Sequence, residues 1–293
     1  MPVQVRRKDG PIMPSSTMGA LGPGSAGILL RQWRDLRGLS QLDLALEAGV
    51  SQKHVSFVER GRSRPSSQMV IDLAEALDVP LRERNTILLA AGHAPRYSVA
   101  ALDTPSLARI DVALRRMLRQ NEPYPAVVMD RHWNVMMAND AAPRFFGRFV
   151  DLAALPTPRN LLRLIFDPDG LRPFVVDWPR TSRMLLTRVR REALGGLIDA
   201  GTRELLDDLE RRAGPDSRRT VPDHEHASPL IPLTFSKNDE TWSYFSLVTT
   251  VGTPQTVAAQ EFRLECMMPA DEETERRHVA SVSLRPDDEA APP

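Results

Sequence analysis

The stretch SQLDLALEAGVSQKHVSFVERG, Ser40 to Gly61, constrains this chain more than any other. Ser40 is placed to cap a helix, and Asp43, three residues on, reaches back to the N–H of the capping residue, the reciprocal pair of a capping box. Leu44, Ala45 and Ala48 share one face of that helix, and Gly49 supplies the left-handed backbone that a tight interhelical turn demands. Val50 is expected to insert between the helices on either side. Ser51 then caps a second short helix. At about 100° per residue, its Val55 and Val58 point one way while Gln52, Lys53, Ser56, Phe57 and Arg60 spread over the opposite arc.

The major groove of DNA accepts a helix with such an arc. Gln bonds bidentately to adenine, Lys reaches guanine acceptors, and an apolar group meets the thymine methyl, which is the use expected of the bare ring of Phe57. Gly61 ends the helix, and Arg62 and Arg64 follow in a loop placed for phosphates. Net charge is zero, so no global basic excess argues for nucleic acid. Its distribution does: Ala26 to Ser66 holds seven Lys/Arg against four Asp/Glu, whereas Pro269 to Pro293 holds three against seven.

A chain of 293 residues predicts about two domains. Residues 1–25, rich in Pro, Gly, Ser and Met without period, are expected to form a flexible arm. Residues 26–95 turn helical, with stops at Gly38, Gly49, Gly61 and Pro80 that cut them into five short helices. Leu42 and Leu46 lie on the side of the second helix away from Leu44; packing on another helix of the same domain is the first expectation, an interface the second. A second domain, 103–270, opens on an amphipathic helix through Leu107, Ile110, Leu114 and Leu118. Strands are expected at Ala126–Asp130 and Asn134–Ala138, helices at Leu161–Phe166, Met184–Leu197 and Thr202–Arg212, and strands again at Leu230–Phe235 and Thr241–Val251. Residues 271–293 read as an acidic tail. The architecture is multi-domain, all-α then α+β.

LSQLDLALEAGVSQKHVSFVERGRSRPS resembles the helix-turn-helix of the lambdoid phage repressors and the wider xenobiotic-response-element regulators of bacteria, over about Gly27 to Gly92. That resemblance implies that Gln41 contacts a phosphate and props Gln52 against a base, and that Lys53 and Phe57 occupy the other base-facing positions. It also implies that Arg34 pairs with Glu59 near the DNA backbone. Ser51, Ser56, Arg60, Arg62 and Arg64 complete the expected DNA-binding set. Phe57 departs from the polar reader that the phage proteins often carry there.

AVVMDRHWNVMMANDAAPRFFG, RNLLRLIFDP and PLIPLTFSKNDETWSYFSLVTTVGTP, in that order, resemble the C-terminal half of the MmyB-like transcription regulators. The resemblance implies a PAS-like domain, an antiparallel sheet with helices over one face, holding a lipophilic ligand with a fatty acid as the expected occupant. The residues supply apolar lining at Trp133, Met136, Phe145, Phe146, Leu164, Phe166, Met184, Trp242 and Phe245. By position alone, Arg183 and Arg188 are candidates to meet a carboxylate.

Other motifs lead elsewhere. GPGSAG, Gly22 to Gly27, spells a dinucleotide fingerprint but follows no strand. DHEH, Asp223 to His226, has metal-like spacing without partner ligands, and DPDG, Asp167 to Gly170, reads as a turn. The single cysteine, Cys266, forms no internal disulfide and is expected to be buried in the last strand. No apolar run approaches the ~20 residues that cross a bilayer, and a cytoplasmic protein is expected.

The combined reading is a sequence-specific regulator, a repressor by family habit and not an enzyme. A homodimer is expected on a palindromic operator of double-stranded DNA, tuned by the lipophilic ligand, with no cofactor required and no membrane involved. The alternative is a protein-docking helical module fused to a lipid-carrier or enzymatic domain.

Overall fold

The structure, a computed structural model, describes residues 25–99, 104–194, 199–214 and 232–283. The chain divides into two compact units, residues 1–99 and 100–293.

In the first unit five helices follow one another: α1 (Ser25–Arg37), α2 (Gln41–Glu47), α3 (Gln52–Glu59), α4 (Ser67–Ala76) and α5 (Leu81–Ala90). Their apolar faces meet around Leu30, Trp33, Leu44, Val70 and Leu88, all essentially closed to solvent. The capping box is present: Asp43 N–H donates to Ser40 Oγ at 3.1 Å, and Ser40 N–H donates to the Asp43 carboxylate at 2.9 Å. Ser51 Oγ accepts from His54 N–H at 3.2 Å, and Gly49 turns the chain at φ 66°. Caps of this kind are each worth about 1 kcal/mol, which matters for helices too short to be stable alone.

Gly27 permits the closest approach in the unit, since a Cβ there would stand 2.0 Å from the carbonyl oxygen of Val58. The last glycine of GPGSAG therefore serves helix packing, with α1 crossing the end of α3 at backbone contact; Gly22 to Gly24 and the expected arm before them lie outside the described residues. The expectation that Leu42 and Leu46 pack on a neighbouring helix is not met. They are 50% and 73% exposed, because α2 turns Leu44 and Ala45 inward and no helix among the described residues of this unit covers its other side.

The second unit opens with a 3-10 turn at Pro105–Leu107 and α6 (Ala108–Gln120), then β1 (Ala126–Met129) and β2 (Val135–Ala138). α7 (Ala141–Phe146), α8 (Leu161–Phe166), α9 (Trp178–Leu194) and α10 (Ala200–Ala213) come next. β3 (Pro232–Lys237), β4 (Glu240–Thr250), α11 (Val257–Glu261), β5 (Arg263–Pro269) and α12 (Glu272–Ser283) complete it. The strands form one antiparallel sheet in the order β2-β1-β5-β4-β3, the PAS-like α+β architecture expected.

Side chains alternate across a strand, so β1 feeds two cores. Val127 and Met129 join the larger one, under α7 to α10, with Phe145, Phe166, Phe235 and Tyr244; Ala126 and Val128 join a smaller one on the opposite face, with α6 and α11. The sheet thus has its main helical layer on one face and a second, smaller cover on the other. Asn139 opens α7, its Oδ1 accepting from Ala142 N–H at 3.1 Å and from Ala126 N–H at 3.0 Å. α9 begins at Trp178, ahead of the expected Met184, with Pro179 set in its first turn where a missing N–H costs nothing. DPDG is a turn, with Asp169 N–H donating to Asp167 Oδ1 at 3.0 Å.

Residues 272–283 are not a tail. They form α12, fastened by buried polar groups: Thr274 Oγ1 accepts from Ser243 N–H at 3.1 Å, and His278 bonds Tyr244 Oη at 2.6 Å. The anchors are polar and the sequence around them acidic, so no apolar period marks the helix. The remainder of the expected tail lies outside the described residues, as does DHEH.

Candidate DNA-reading helix and ligand cavity

On α3 the stripe Val55, Val58 and Glu59 is buried, whereas Gln52, Lys53 and Arg60 are exposed and Ser56 and Phe57 half-buried. Five of the expected base- or backbone-facing side chains therefore share one arc. Lys53 Nζ lies over the Phe57 ring, 5.5 Å from its centre, a cation–π distance, so the candidate apolar reader carries a cation over its face. Ser51, exposed at the helix start, is occupied as the cap.

Behind the arc sits a buried ion pair. Arg34 of α1 donates from Nε and Nη2 to the two carboxylate oxygens of Glu59 at 2.6 and 3.0 Å, and from Nη1 to the Leu39 carbonyl at 2.8 Å. The hydrogen bond to Glu59, against the cost of burial, holds the Arg34 pKa above its ordinary value. Gln41 Nε2 donates to the same carboxylate at 2.7 Å. The Arg34–Glu59 pairing is as the family resemblance implied. The position of Gln41 is not: its amide is bound to Glu59 instead of propping Gln52.

The two loop arginines part company. The exposed side chain of Arg62 makes no hydrogen bond or ion pair among the described residues. Arg64 donates to the carbonyls of Ala91 and Gly92 at 2.7 and 3.1 Å, filling the acceptors left open at the end of α5. Arg64 is thus a structural cap, and its assignment as a free phosphate contact is corrected. The sequence hid this because the carbonyls it serves are some thirty positions away, near Gly92 (|i−j| of 27 and 28).

In the second unit a cavity of about 40 Å³ opens between the main helical layer and the sheet. Trp133, Phe146, Phe245 and Arg188 of the expected set line it. Phe145 and Trp242 belong instead to an aromatic cluster with Phe149, Phe235 and Tyr244, and Phe166 packs edge-on against Trp178. Leu164 packs against the core away from the cavity, Met184 and Arg183 are half-buried off it, and Met136 is 42% exposed on β2. Met136 fails because the alternation of β2 turns it outward.

Sequence reasoning missed Leu161, Ile165, Leu185, Met267, Ser246 and Glu265 as lining. Leu161 and Ile165 were legible as an i, i+4 apolar pair on α8. Glu265 was legible too: alternation in RLECM places it on the same face as Met267, an acid at an inward-facing position.

Arg188 and Glu265 form the polar end. Arg188 Nη1 and Nη2 donate to Glu265 at 3.2 and 3.3 Å, Nε donates to Glu192 at 3.0 Å, and the guanidinium lies 4.6 Å over the Trp133 ring. Burial works against the charge of Arg188, but Glu265 and Glu192 more than offset it and its pKa is raised. Glu192 in turn bonds Arg263. At the other side Tyr244 lines the cavity and passes its hydroxyl to His278 Nδ1; His278 Nε2–H donates to the Pro123 carbonyl at 2.8 Å, which fixes the tautomer so that Tyr244 is the donor. Burial pushes the Tyr244 pKa up, and it pushes that of His278 below the ordinary histidine range.

Cys266 is a half-buried free thiol in β5, with its pKa raised by burial. Among the described residues no group of three or more His, Cys, Asp or Glu is placed to hold a metal, and no helix is long and apolar enough to cross a membrane.

Comparison with known proteins identifies both units by family. Residues 110–279 match the family model of the MmyB-like transcription regulator ligand binding domain, and residues 30–84 match the helix-turn-helix family. The uncharacterized HTH-type transcriptional regulator y4dL of Sinorhizobium fredii is 36% identical over 52 residues, 18% of this chain and 26% of that protein. The uncharacterized HTH-type transcriptional regulator Mb0023 of Mycobacterium bovis is 33% identical over 108 residues, 37% of this chain and 38% of that protein. The matches thus span well under half the length of these relatives. A solved structure titled as that of an RNA-binding Light-Oxygen-Voltage receptor aligns over 88% of this chain and 61% of its own at 12% identity, with a TM-score of 0.28. With a xenobiotic-response-element-type helix-turn-helix ahead of the ligand-binding domain that fills more than half of its length, this chain belongs to the MmyB-like transcription regulators.

Proposed function

We propose that the protein is a ligand-responsive repressor. Two copies place their α3 helices in successive major grooves of a palindromic operator, and a lipophilic molecule in the cavity of the second unit shifts operator affinity. One observation carries the reading: a rigidly capped α3 presents Gln52, Lys53 and Phe57 on an open arc, in the same chain as a cavity walled by Trp133, Phe146, Leu161 and Met267. A fatty acid, which the family resemblance implies, is the first ligand to try. The decisive measurement is binding of the purified full chain to its own upstream region against random DNA at moderate salt. A preference of at least about a hundredfold is expected of a specific binder; equal affinity for both overturns the reading.

A further inference from the structure

The cavity is apolar except at one end, and that end is electrically settled. Glu265 occupies both terminal nitrogens of Arg188, Glu192 occupies its Nε, and Trp133 covers one face of the guanidinium. Glu192 is itself bonded to Arg263, so two cations and two carboxylates are gathered there without net charge. The Glu265 side chain is only 9% exposed. A ligand carboxylate entering this end has two courses. It displaces Glu265 from Arg188 and strands a buried negative charge, or it stops beside Glu265 and is repelled by it. A head group that is neutral and hydrogen-bonding faces neither cost: its oxygen accepts from the remaining Arg188 N–H groups while its hydroxyl donates to Glu265. Ser246, which also lines the cavity, makes no side-chain hydrogen bond among the described residues, and its hydroxyl offers a further neutral donor and acceptor to such a head group.

We infer that the cavity selects a neutral lipophile with a hydroxyl or hydroxyl-and-carbonyl head, such as a long-chain alcohol or a glyceride, over the free carboxylate of the same chain length. This rests on the proposed reading of the cavity as a ligand site and changes the ligand class within it. Arg188 is the expected cation in the expected place, but it is not free to serve an anion.

The test compares binding of 1-decanol and decanoate to the full chain at pH 8, by calorimetry or by competition against a fluorescent lipid probe, in the native protein and in Glu265→Gln. Decanol partitions out of water more readily whatever the site, so the ratio of the two affinities is read across the proteins. The alcohol-to-acid ratio is expected to fall at least tenfold in Glu265→Gln, because the amide no longer repels the ligand carboxylate and leaves Arg188 a free charge to pair with it. An unchanged ratio in a folded Glu265→Gln protein overturns the inference, as does tighter binding of decanoate than of decanol to the native protein. Should Glu265→Gln fail to fold, Ser246→Ala serves instead: a severalfold loss for decanol with decanoate unaffected is expected, and an equal change for both overturns the proposal. Binding of neither amphiphile to the native protein brings down the lipophilic-site reading itself, and this inference with it.

Discussion

Arg34 and Glu59 meet through two hydrogen bonds of 2.6 and 3.0 Å, with 11% and 3% of their side chains exposed, and so tie the first helix to the end of the third. Removing Arg34 alone leaves a buried carboxylate whose remaining side-chain partner among the described residues is Gln41. Arg34→Met is expected to cost about 3–5 kcal/mol, read by urea unfolding of the helical unit, whereas the double change Arg34→Met with Glu59→Leu recovers most of it. A single change within 1 kcal/mol of native would show that the pair carries little.

Arg62 and Arg64 separate binding from stability. Arg62→Ala should leave the unfolding midpoint in place and weaken DNA binding uniformly across sequences, lowering the slope of log affinity against log salt by about one. Arg64→Ala should cost about 1 kcal/mol of stability, because two carbonyls at the end of α5 lose their charged donor. The reverse pattern in titrations and melts would refute both assignments.

Phe57 stands half-buried beside Lys53, apart from the residues of the helical core. Phe57→Gln is expected to alter preference at one A·T pair, with stability changed by less than about 1 kcal/mol; selection from a randomised operator library, run beside thermal melts, decides. Loss of folding would mean the ring is core. Lys53→Ala should cost about 1–3 kcal/mol of discrimination at a single base.

His278 supplies a pH dependence. Burial, chiefly, lowers its pKa in the folded protein; the hydrogen bond to the Pro123 carbonyl opposes this, and the nearby Arg148 and Arg144 add to the lowering while Glu122 slightly opposes it. An unfolded chain takes up the proton as pH falls through about 6.5, while the folded chain resists until lower pH. The stability contributed by neutral His278 is therefore fully present above about pH 6.5 and declines as the solution is acidified below it. Melting temperature of the native protein should fall between pH 7.5 and 5.5, and His278→Gln should flatten the difference. Equal slopes would remove His278 from the account.

Local chemistry made the first unit readable. Ser40 with Asp43, Gly49, Ser51 and the Val55–Val58 stripe each act within a turn of themselves, and each appears where its sequence context put it. What escaped notice acts at long range: Arg64 reaches the end of α5, Gln41 turns to Glu59, and Glu265 faces Arg188 from another element. The cavity was half legible for the same reason. Large aromatics announce burial, but whether a buried ring lines a space or fills it depends on neighbours brought in by the fold, and Phe145, Phe166 and Trp242 fill it.

The bond between Tyr244 and His278 bears on where this protein may be cut. A fragment ending after β5, where the acidic composition begins, would lose two side chains: the His278 imidazole, which accepts the Tyr244 hydrogen bond and stacks on Phe145, and the threonine that receives Ser243 N–H. The Tyr244 hydroxyl and the aromatic packing behind it, now buried, would then face water. Any shortened version intended for ligand work has to run through Ser283, so that the closing helix travels with the sheet it seals.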